Sequence, residues 1–352
     1  MDPFSLIRPL VGLIDPERAH GLTIRALRMG LGPHRREADP PSLAIDLFGL
    51  HFENPLGIAA GFDKNGVVPD AMLAMGMGFA EIGTVTPRPQ AGNPRPRVFR
   101  LPAQRAVINR LGFNNEGHAA LKRRLLARRH RPGIVGVNIG ANKDSQDRIA
   151  DYEAGIRAFD GLASYFTVNI SSPNTPGLRA LQNKAELQNL VSRVLAARRA
   201  EGARKTPVLL KIAPDLTPDD RADIAEVALT EGLDGLIISN TTIARDGLVS
   251  GIRAREQGGL SGAPLFAMST AVLADMYRLT RGRLPLIGVG GIGSGDDAYM
   301  KIRAGASLIQ LYSALTYDGP ALVGRIKRDL AARLARDGFA HLKDAVGADV
   351  KF

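Results

Sequence analysis

Leu286-Ile-Gly-Val-Gly290-Gly-Ile-Gly-Ser-Gly295 is the stretch on which the fold turns. Gly288, Gly290 and Gly293 satisfy the G-x-G-x-x-G string of open dinucleotide-binding sheets. That string belongs on a first strand, with an acidic residue about twenty positions further on. Position 313 is Ser, and the stretch comes late in the chain. Working outward, it is the seventh of eight short apolar runs separated by helical patterns. The runs are Pro55 to Ala60, Phe79 to Val85, Ile134 to Ile139, Tyr165 to Ile170, Val208 to Ile212, Gly235 to Ser239, Leu286 to Val289 and Leu308 to Leu311. Each is rich in Ile, Leu or Val, as strands buried on both faces are. Eight β-then-α units within the 260 residues from Pro55 to Ala314 predict an α/β fold, a closed parallel (β/α)8 TIM barrel. In a barrel, the loops after strands seven and eight bind phosphate, because glycines let backbone N–H groups approach the anion. Tyr312-Ser313 closes strand eight, and Ser261-Gly262 in the sixth loop is a third candidate. Glycine-dependent tight turns are the plainer alternative.

The steps after strands two, four and six are long. Their extra residues, 86–113, 172–183 and 241–263, fall at the carboxyl ends of the strands, where barrel enzymes build active sites. Arg97 to Arg110 alternates enough for a small hairpin over the barrel mouth. Before the barrel, Asp46 to Phe48 and His51 to Glu53 read as two short strands around Gly49-Leu50. The segment from Arg35 to Ser42 reads as a linker. Upstream lie two short helices. The first carries Phe4, Leu6, Ile7, Leu10, Val11, Leu13 and Ile14. The second has Asp15 as N-cap, Pro16 in its first turn, and ends at Gly30 and Gly32-Pro33. Residues 1–38 are therefore expected as a helical pair with linker, and 39–352 as the barrel. The pair reads either as a cap on the barrel or as a segment lying in a membrane interface, which apolar faces with arginines suit. Neither a spanning helix nor a signal peptide is expected.

Composition narrows the chemistry. The chain has 352 residues, no cysteine and a formal charge of +11. The first number allows one large barrel. The second excludes disulfides, thiolate metal sites and cysteine nucleophiles or bases. The third suits an anionic partner. The basic run from Lys122 to Arg131 has no interleaved aromatics and reads as a solvated helix face, so no nucleic acid is expected. Six histidines show no metal spacing. Asn109, Asn138, Asn169, Asn174 and Asn240 fall mostly at strand ends. Amides that both donate and accept suit a planar ring of alternating C=O and N–H groups. Lys64 follows strand one. Lys211 lies within strand five and should point into the barrel toward something anionic. Asn169-Ile-Ser-Ser172-Pro-Asn174-Thr175-Pro-Gly177 ends strand four; a serine nucleophile there lacks a nearby histidine, and a turn is the plainer reading.

Together these residues resemble the quinone-dependent, membrane-associated class of dihydroorotate dehydrogenases. The carriers are Asp15-Pro-Glu-Arg-Ala-His20, Ala59-Ala-Gly-Phe-Asp-Lys64, Gly83-Thr-Val-Thr-Pro87, Gly92-Asn-Pro-Arg-Pro-Arg-Val-Phe-Arg100, Asn109-Arg-Leu-Gly-Phe-Asn114, Asn169 to Gly177, Ser239-Asn-Thr-Thr242 and Gly288 to Gly295. The resemblance runs from about Asp15 to Tyr317 and implies an FMN enzyme that oxidises dihydroorotate to orotate in pyrimidine synthesis. It implies FMN contacts at Ala60, Gly61, Phe62, Asp63, Lys64, Thr84, Asn138, Asn169, Lys211, Ser239, Gly262, Gly291, Tyr312 and Ser313. It implies substrate contacts at Lys64, Asn109, Arg110, Leu111, Gly112, Phe113, Asn169, Asn174, Asn240 and Thr241. Ser172 maps onto the catalytic base that takes the C5 proton while C6 passes a hydride to the flavin; Thr175 is expected in a water chain carrying the proton away. His20, Arg100 and Tyr312 map to the inner end of a quinone entrance formed by the helical pair, which tips the choice for that pair toward the membrane.

The resemblance further implies a monomer in peripheral contact with an anionic membrane surface, on the cytoplasmic side of the inner membrane for a bacterial source. Two other flavin barrels fit less well. The tRNA-dihydrouridine synthases use a cysteine acid. The soluble dihydroorotate dehydrogenases that use fumarate or NAD have a cysteine base and lack the helical pair. A basic barrel that binds lipid or RNA without catalysis is the non-enzymatic alternative.

Overall fold

The computed structural model describes residues 12–35, 37–200, 206–246, 248 and 251–352. The expected first helix falls almost wholly on residues 1–11, outside the described residues. The second forms as α1, Pro16–Arg28. Asp15 caps it by accepting from the Arg18 N–H at 2.9 Å, with Pro16 at the first position.

Two short strands, β1 (Ile45–Leu47) and β2 (Leu50–Phe52), pair antiparallel. Both start one residue earlier than the sequence suggests, because the turn is Phe48-Gly49, with φ of 58° and 72°. A two-residue hairpin turn takes positive φ at both central positions, and here Phe48 accepts it. The segment expected as a linker is tied to the barrel: Asp39 accepts from Arg35 at 2.6 Å and from Lys327 at 2.6 Å.

Eight parallel strands then close a barrel: β3 (Leu56–Ile58), β4 (Phe79–Val85), β7 (Ile134–Ile139), β8 (Tyr165–Asn169), β9 (Val208–Ile212), β10 (Gly235–Ile238), β12 (Leu286–Val289) and β13 (Ala306–Leu311). Four match the predicted bounds at both ends. The others move by up to two residues, and Ile170 and Ser239 already belong to loops. Phe79, Phe166 and Leu308 are fully buried, which is why these strands read as unbroken apolar runs.

The predicted hairpin is β5 (Val98–Leu101) with β6 (Ala106–Asn109). A third strand, β11 (Gly259–Gly262), pairs antiparallel with β6. Gly-Leu-Ser-Gly carries no strand signature of its own, so the sequence predicts only a loop where β11 forms. This small sheet joins the loops after β4 and β10 and holds its own apolar cluster, Leu101, Ala106, Ile108 and Leu260. The basic helix α2, Gly117–Arg128, lies on the outside as expected: Arg124 pairs with Glu116, and Arg128 and Arg131 pair with Asp70. No described helix is long and apolar enough to cross a membrane.

Candidate active site

The carboxyl ends of the barrel strands, the small sheet and α1 enclose a cavity of about 550 Å³. At its polar end the predicted amides are joined by hydrogen bonds. Asn169, closing β8, donates to Thr84 Oγ1 at 2.9 Å and Asn138 Oδ1 at 3.2 Å, and accepts from Ser171 Oγ at 2.9 Å. Asn240 donates to that same Ser171 Oγ at 2.9 Å. Asn174 donates to Asn109 Oδ1 at 3.4 Å, linking the loop after β8 to the hairpin. Asn169, Ser171 and Asn174 share the end of β8 and its loop, while Thr84, Asn138, Asn109 and Asn240 come from other strand ends, so barrel closure brings the two sets together. Ser172 lines the cavity, and its Oγ accepts from the Asn174 N–H at 3.2 Å. A donated hydrogen bond favours negative charge on that oxygen.

Two lysines reach the cavity. Lys64 donates to Gly61 O at 2.7 Å, and burial pulls its ammonium down to about 8, so it keeps its proton at neutral pH. Lys211 is 5 % exposed and makes no hydrogen bond among the described residues; its remaining exposure faces the cavity. Burial lowers its pKa, opposed by the charge of Glu81. So the anion expected near Lys211 exists, at a distance rather than in contact.

Glu81 is what the sequence reading missed. It is fully buried in β4 and accepts from Asn138 Nδ2 at 2.8 Å, Tyr165 Oη at 3.1 Å and Gln310 Nε2 at 2.7 Å. The signal was present: an acid inside Phe-Ala-Glu-Ile-Gly-Thr-Val is as anomalous as Lys211 inside its own strand. Arg179 was also missed. It donates to Ser171 O at 3.1 Å and Thr241 O at 3.0 Å and pairs with Asp215 at 2.8 Å, clamping the loops after β8 and β10.

On the glycine-rich side of the cavity, Gly262, Gly290 and Gly291 have φ of 99°, 110° and 79°. A Cβ on Gly291 would lie 2.4 Å from Phe266 Cβ, and one on Gly262 2.3 Å from Arg105 O. Backbone therefore forms this wall, joined by the Ser261 and Ser313 hydroxyls, 2.7 Å apart.

Toward α1 the cavity turns apolar. His20, Phe62 and Tyr312 meet ring to ring, with centroids 5.3 Å (His20–Phe62) and 5.9 Å (Phe62–Tyr312) apart. Burial drops the His20 pKa to about 3 and lifts Tyr312 to about 12, so both rings are uncharged at neutral pH. Arg100 lines the same end and donates to Ile14 O at 2.9 Å. Glu17 of α1 receives the buried Arg97 at 2.7 Å and Arg95 at 3.0 Å, fastening helix to hairpin.

The remaining predicted contacts, from Ala60 and Gly61 through Leu111, Gly112 and Phe113 to Ser239 and Thr241, line the cavity. Asp63, Asn138, Arg110 and Thr175 do not. Asp63 turns its carboxylate to the N–H groups of Val67 and Val68 at 2.9 and 2.6 Å. Asn138 stands behind Thr84. Arg110 pairs with Glu256 at 2.6 Å over the Phe99 ring. Thr175 is buried outside the cavity wall.

A family profile described as dihydroorotate dehydrogenase matches residues 42–334. A protein named "Dihydroorotate dehydrogenase (quinone)" from Parvibaculum lavamentivorans is 83% identical over 350 residues, covering 99% of each chain. One of the same name from Rhodospirillum rubrum is 60% identical over 349 residues, covering 99% of this chain and 95% of its own. The crystal structure of the Eimeria tenella enzyme in complex with ferulenol superposes with a TM-score of 0.91 at 42% identity, covering 95% of this chain and 96% of that one. With 293 consecutive residues matched by the profile and near-complete overlap with both relatives, the chain belongs to the dihydroorotate dehydrogenase family.

Proposed function

We propose that this chain oxidises (S)-dihydroorotate to orotate through bound FMN, with a membrane quinone as electron acceptor, in pyrimidine synthesis. One observation carries the reading: a single cavity runs from an amide-lined end holding Ser172 to an apolar end beneath α1. A dissociable soluble acceptor such as NAD has no use for the apolar end, whereas a lipid-soluble quinone does. The names of the relatives point the same way.

The residues fit FMN. The glycine wall with Ser261 and Ser313 suits a phosphate monoester. Lys211, buried without a hydrogen-bond partner among the described residues, suits the electron-rich edge of the isoalloxazine. Bound FMN would supply the two-electron redox chemistry. The protein's own residues do the rest. Lys64 would hold the substrate carboxylate, and Asn109, Asn174 and Asn240 would read its ring carbonyl and N–H groups. Ser172 Oγ would take the C5 proton while passing its own hydroxyl proton to water, the Asn174 N–H supporting the alkoxide character this transfer lends the oxygen. Thr175, outside the cavity wall, would serve only through intervening water.

The quinone end would be closed by His20, Phe62, Tyr312 and Arg100. Leu22 and Met29 are exposed, seven residues apart and so on one helix face, and Leu13 and Leu31 are exposed nearby. With Arg18, Arg25 and Arg28 also exposed, this surface would rest on an anionic membrane, peripherally and without spanning it. Steady-state turnover of dihydroorotate with a quinone, fumarate or NAD offered separately tests the whole reading. Quinone alone should support turnover. Activity with fumarate or NAD, and none with quinone, would reject it.

A further inference from the structure

Lys301 is fully buried in the helix Gly295–Arg303, behind the glycine wall and outside the cavity. Its ammonium donates to Ser269 Oγ at 2.6 Å and lies 5.1 Å from the centre of the Phe266 ring. Ser269 Oγ in turn lies 3.1 Å from both Gly290 O and Phe266 O, either of which can accept its one proton. Gly290 and Gly291 press on these same side chains: a Cβ on Gly290 would lie 2.9 Å from Ser269 Oγ, and one on Gly291 2.4 Å from Phe266 Cβ. No carboxylate pairs with Lys301 among the described residues. Asp297, on the same helix, acts on it only through space and accepts from the Gly293 N–H at 2.9 Å. An ammonium removed from water without a counter-ion is costly unless something else compensates it.

We propose that Lys301 is a positioning residue for the phosphate of the flavin cofactor, its ammonium holding Gly290 and Gly291 through Ser269 and supplying positive field from behind them. The anion on the cavity side is then the missing counter-charge. Burial pulls the ammonium down to about 7, so an anion across the glycines also helps to keep it protonated. This rests on the FMN reading above, and the two can fail separately.

The test is flavin binding to the full-length chain stripped of cofactor, titrated with FMN and with riboflavin, which lacks the phosphate. Lys301→Met should weaken FMN about tenfold, the size of one charge interaction in a partly buried site, while riboflavin moves less than about twofold. If Lys301→Met does not fold, Ser269→Ala keeps the charge and cuts the link; it should also weaken FMN more than riboflavin. Equal loss of both flavins, or no loss, overturns the proposal. Wild-type protein that binds neither flavin overturns the cofactor reading itself, before any variant is compared.

Discussion

The Glu17–Arg97 pair offers the sharpest test of how α1 is held on the barrel. Arg97 is 4 % exposed and uses its whole fork. Nε and Nη2 reach the two Glu17 oxygens at 3.1 and 2.7 Å, while Nη1 donates to Ala91 O at 2.7 Å and Asn93 O at 2.8 Å. Arg97→Ala strands two carbonyls and leaves the Glu17 carboxylate only Arg95, at 3.0 Å, at a cost of about 3 kcal/mol, the low end for a broken buried pair. Glu17→Ala leaves Arg97 with its carbonyls and should cost about 2 kcal/mol, as for one charged hydrogen-bonded contact. The double variant should then cost little more than Arg97→Ala, a coupling of about 2 kcal/mol. The assay is hydrogen exchange at the α1 amides, which reads local opening of the helix even when the barrel stays folded.

Kinetics separate the two roles of Arg97. Asn93 donates to Arg110 O at 3.0 Å and Asn174 O at 3.2 Å, so the loop Arg97 holds also braces the polar end of the cavity. Glu17→Ala should raise the quinone KM and leave the dihydroorotate KM within about twofold, whereas Arg97→Ala should raise both. Additive exchange free energies, with coupling under about 0.5 kcal/mol, would refute the clamp.

Three further outcomes are expected. Ser172→Ala should slow flavin reduction by dihydroorotate by about 10²-fold or more with FMN still bound, measured by stopped-flow bleaching; an undiminished rate would remove Ser172 as the base. Deleting residues 1–30 should abolish quinone reduction and spare dihydroorotate-driven flavin reduction, and loss of both in a folded protein would contradict the division of the cavity into two ends. The third concerns His118, whose ring lies 5.0 Å from that of Phe159 and whose pKa burial lowers from 6.5 to about 4. The folded state holds this ring neutral, so its contribution is intact above pH 6.5 and is lost as pH falls through about 4. That loss is on the order of 3 kcal/mol when complete. His118→Phe should flatten the fall in denaturation midpoint between pH 6.5 and 4; an unchanged slope would place the acid sensitivity elsewhere.

The eight barrel strands were legible because each is buried on both faces, which leaves a run of β-branched and aliphatic residues that no surface helix shows. The cap on α1 was legible because Asp15-Pro16 acts on its immediate neighbours. Strand β11 was not, since a four-residue segment with glycine at both ends becomes a strand only by pairing with β6. The turn of the β1–β2 hairpin falls one residue earlier than expected because Phe48, its first residue, takes a positive φ that local preference assigns to glycine. Asp63 shows the limit of reading a motif: it sits inside Gly61-Phe62-Asp63-Lys64, yet spends its carboxylate on the amides of Val67 and Val68.

By itself the sequence determined the barrel, the face that carries the long loops, the amide- and lysine-rich chemistry of that face, and, through the absence of cysteine, that no base there is a thiol. These follow from residue type and periodicity along the chain. The tertiary structure decided that the polar and apolar ends form one cavity, that Glu81 stands behind Lys211 and Asn138, that Arg97 binds helix to hairpin, and that Lys301 lies behind the glycine wall. Glu81 and Gln310 are 229 positions apart, and Arg97 is 80 from Glu17. No local pattern encodes such distances, because barrel closure and loop packing set them.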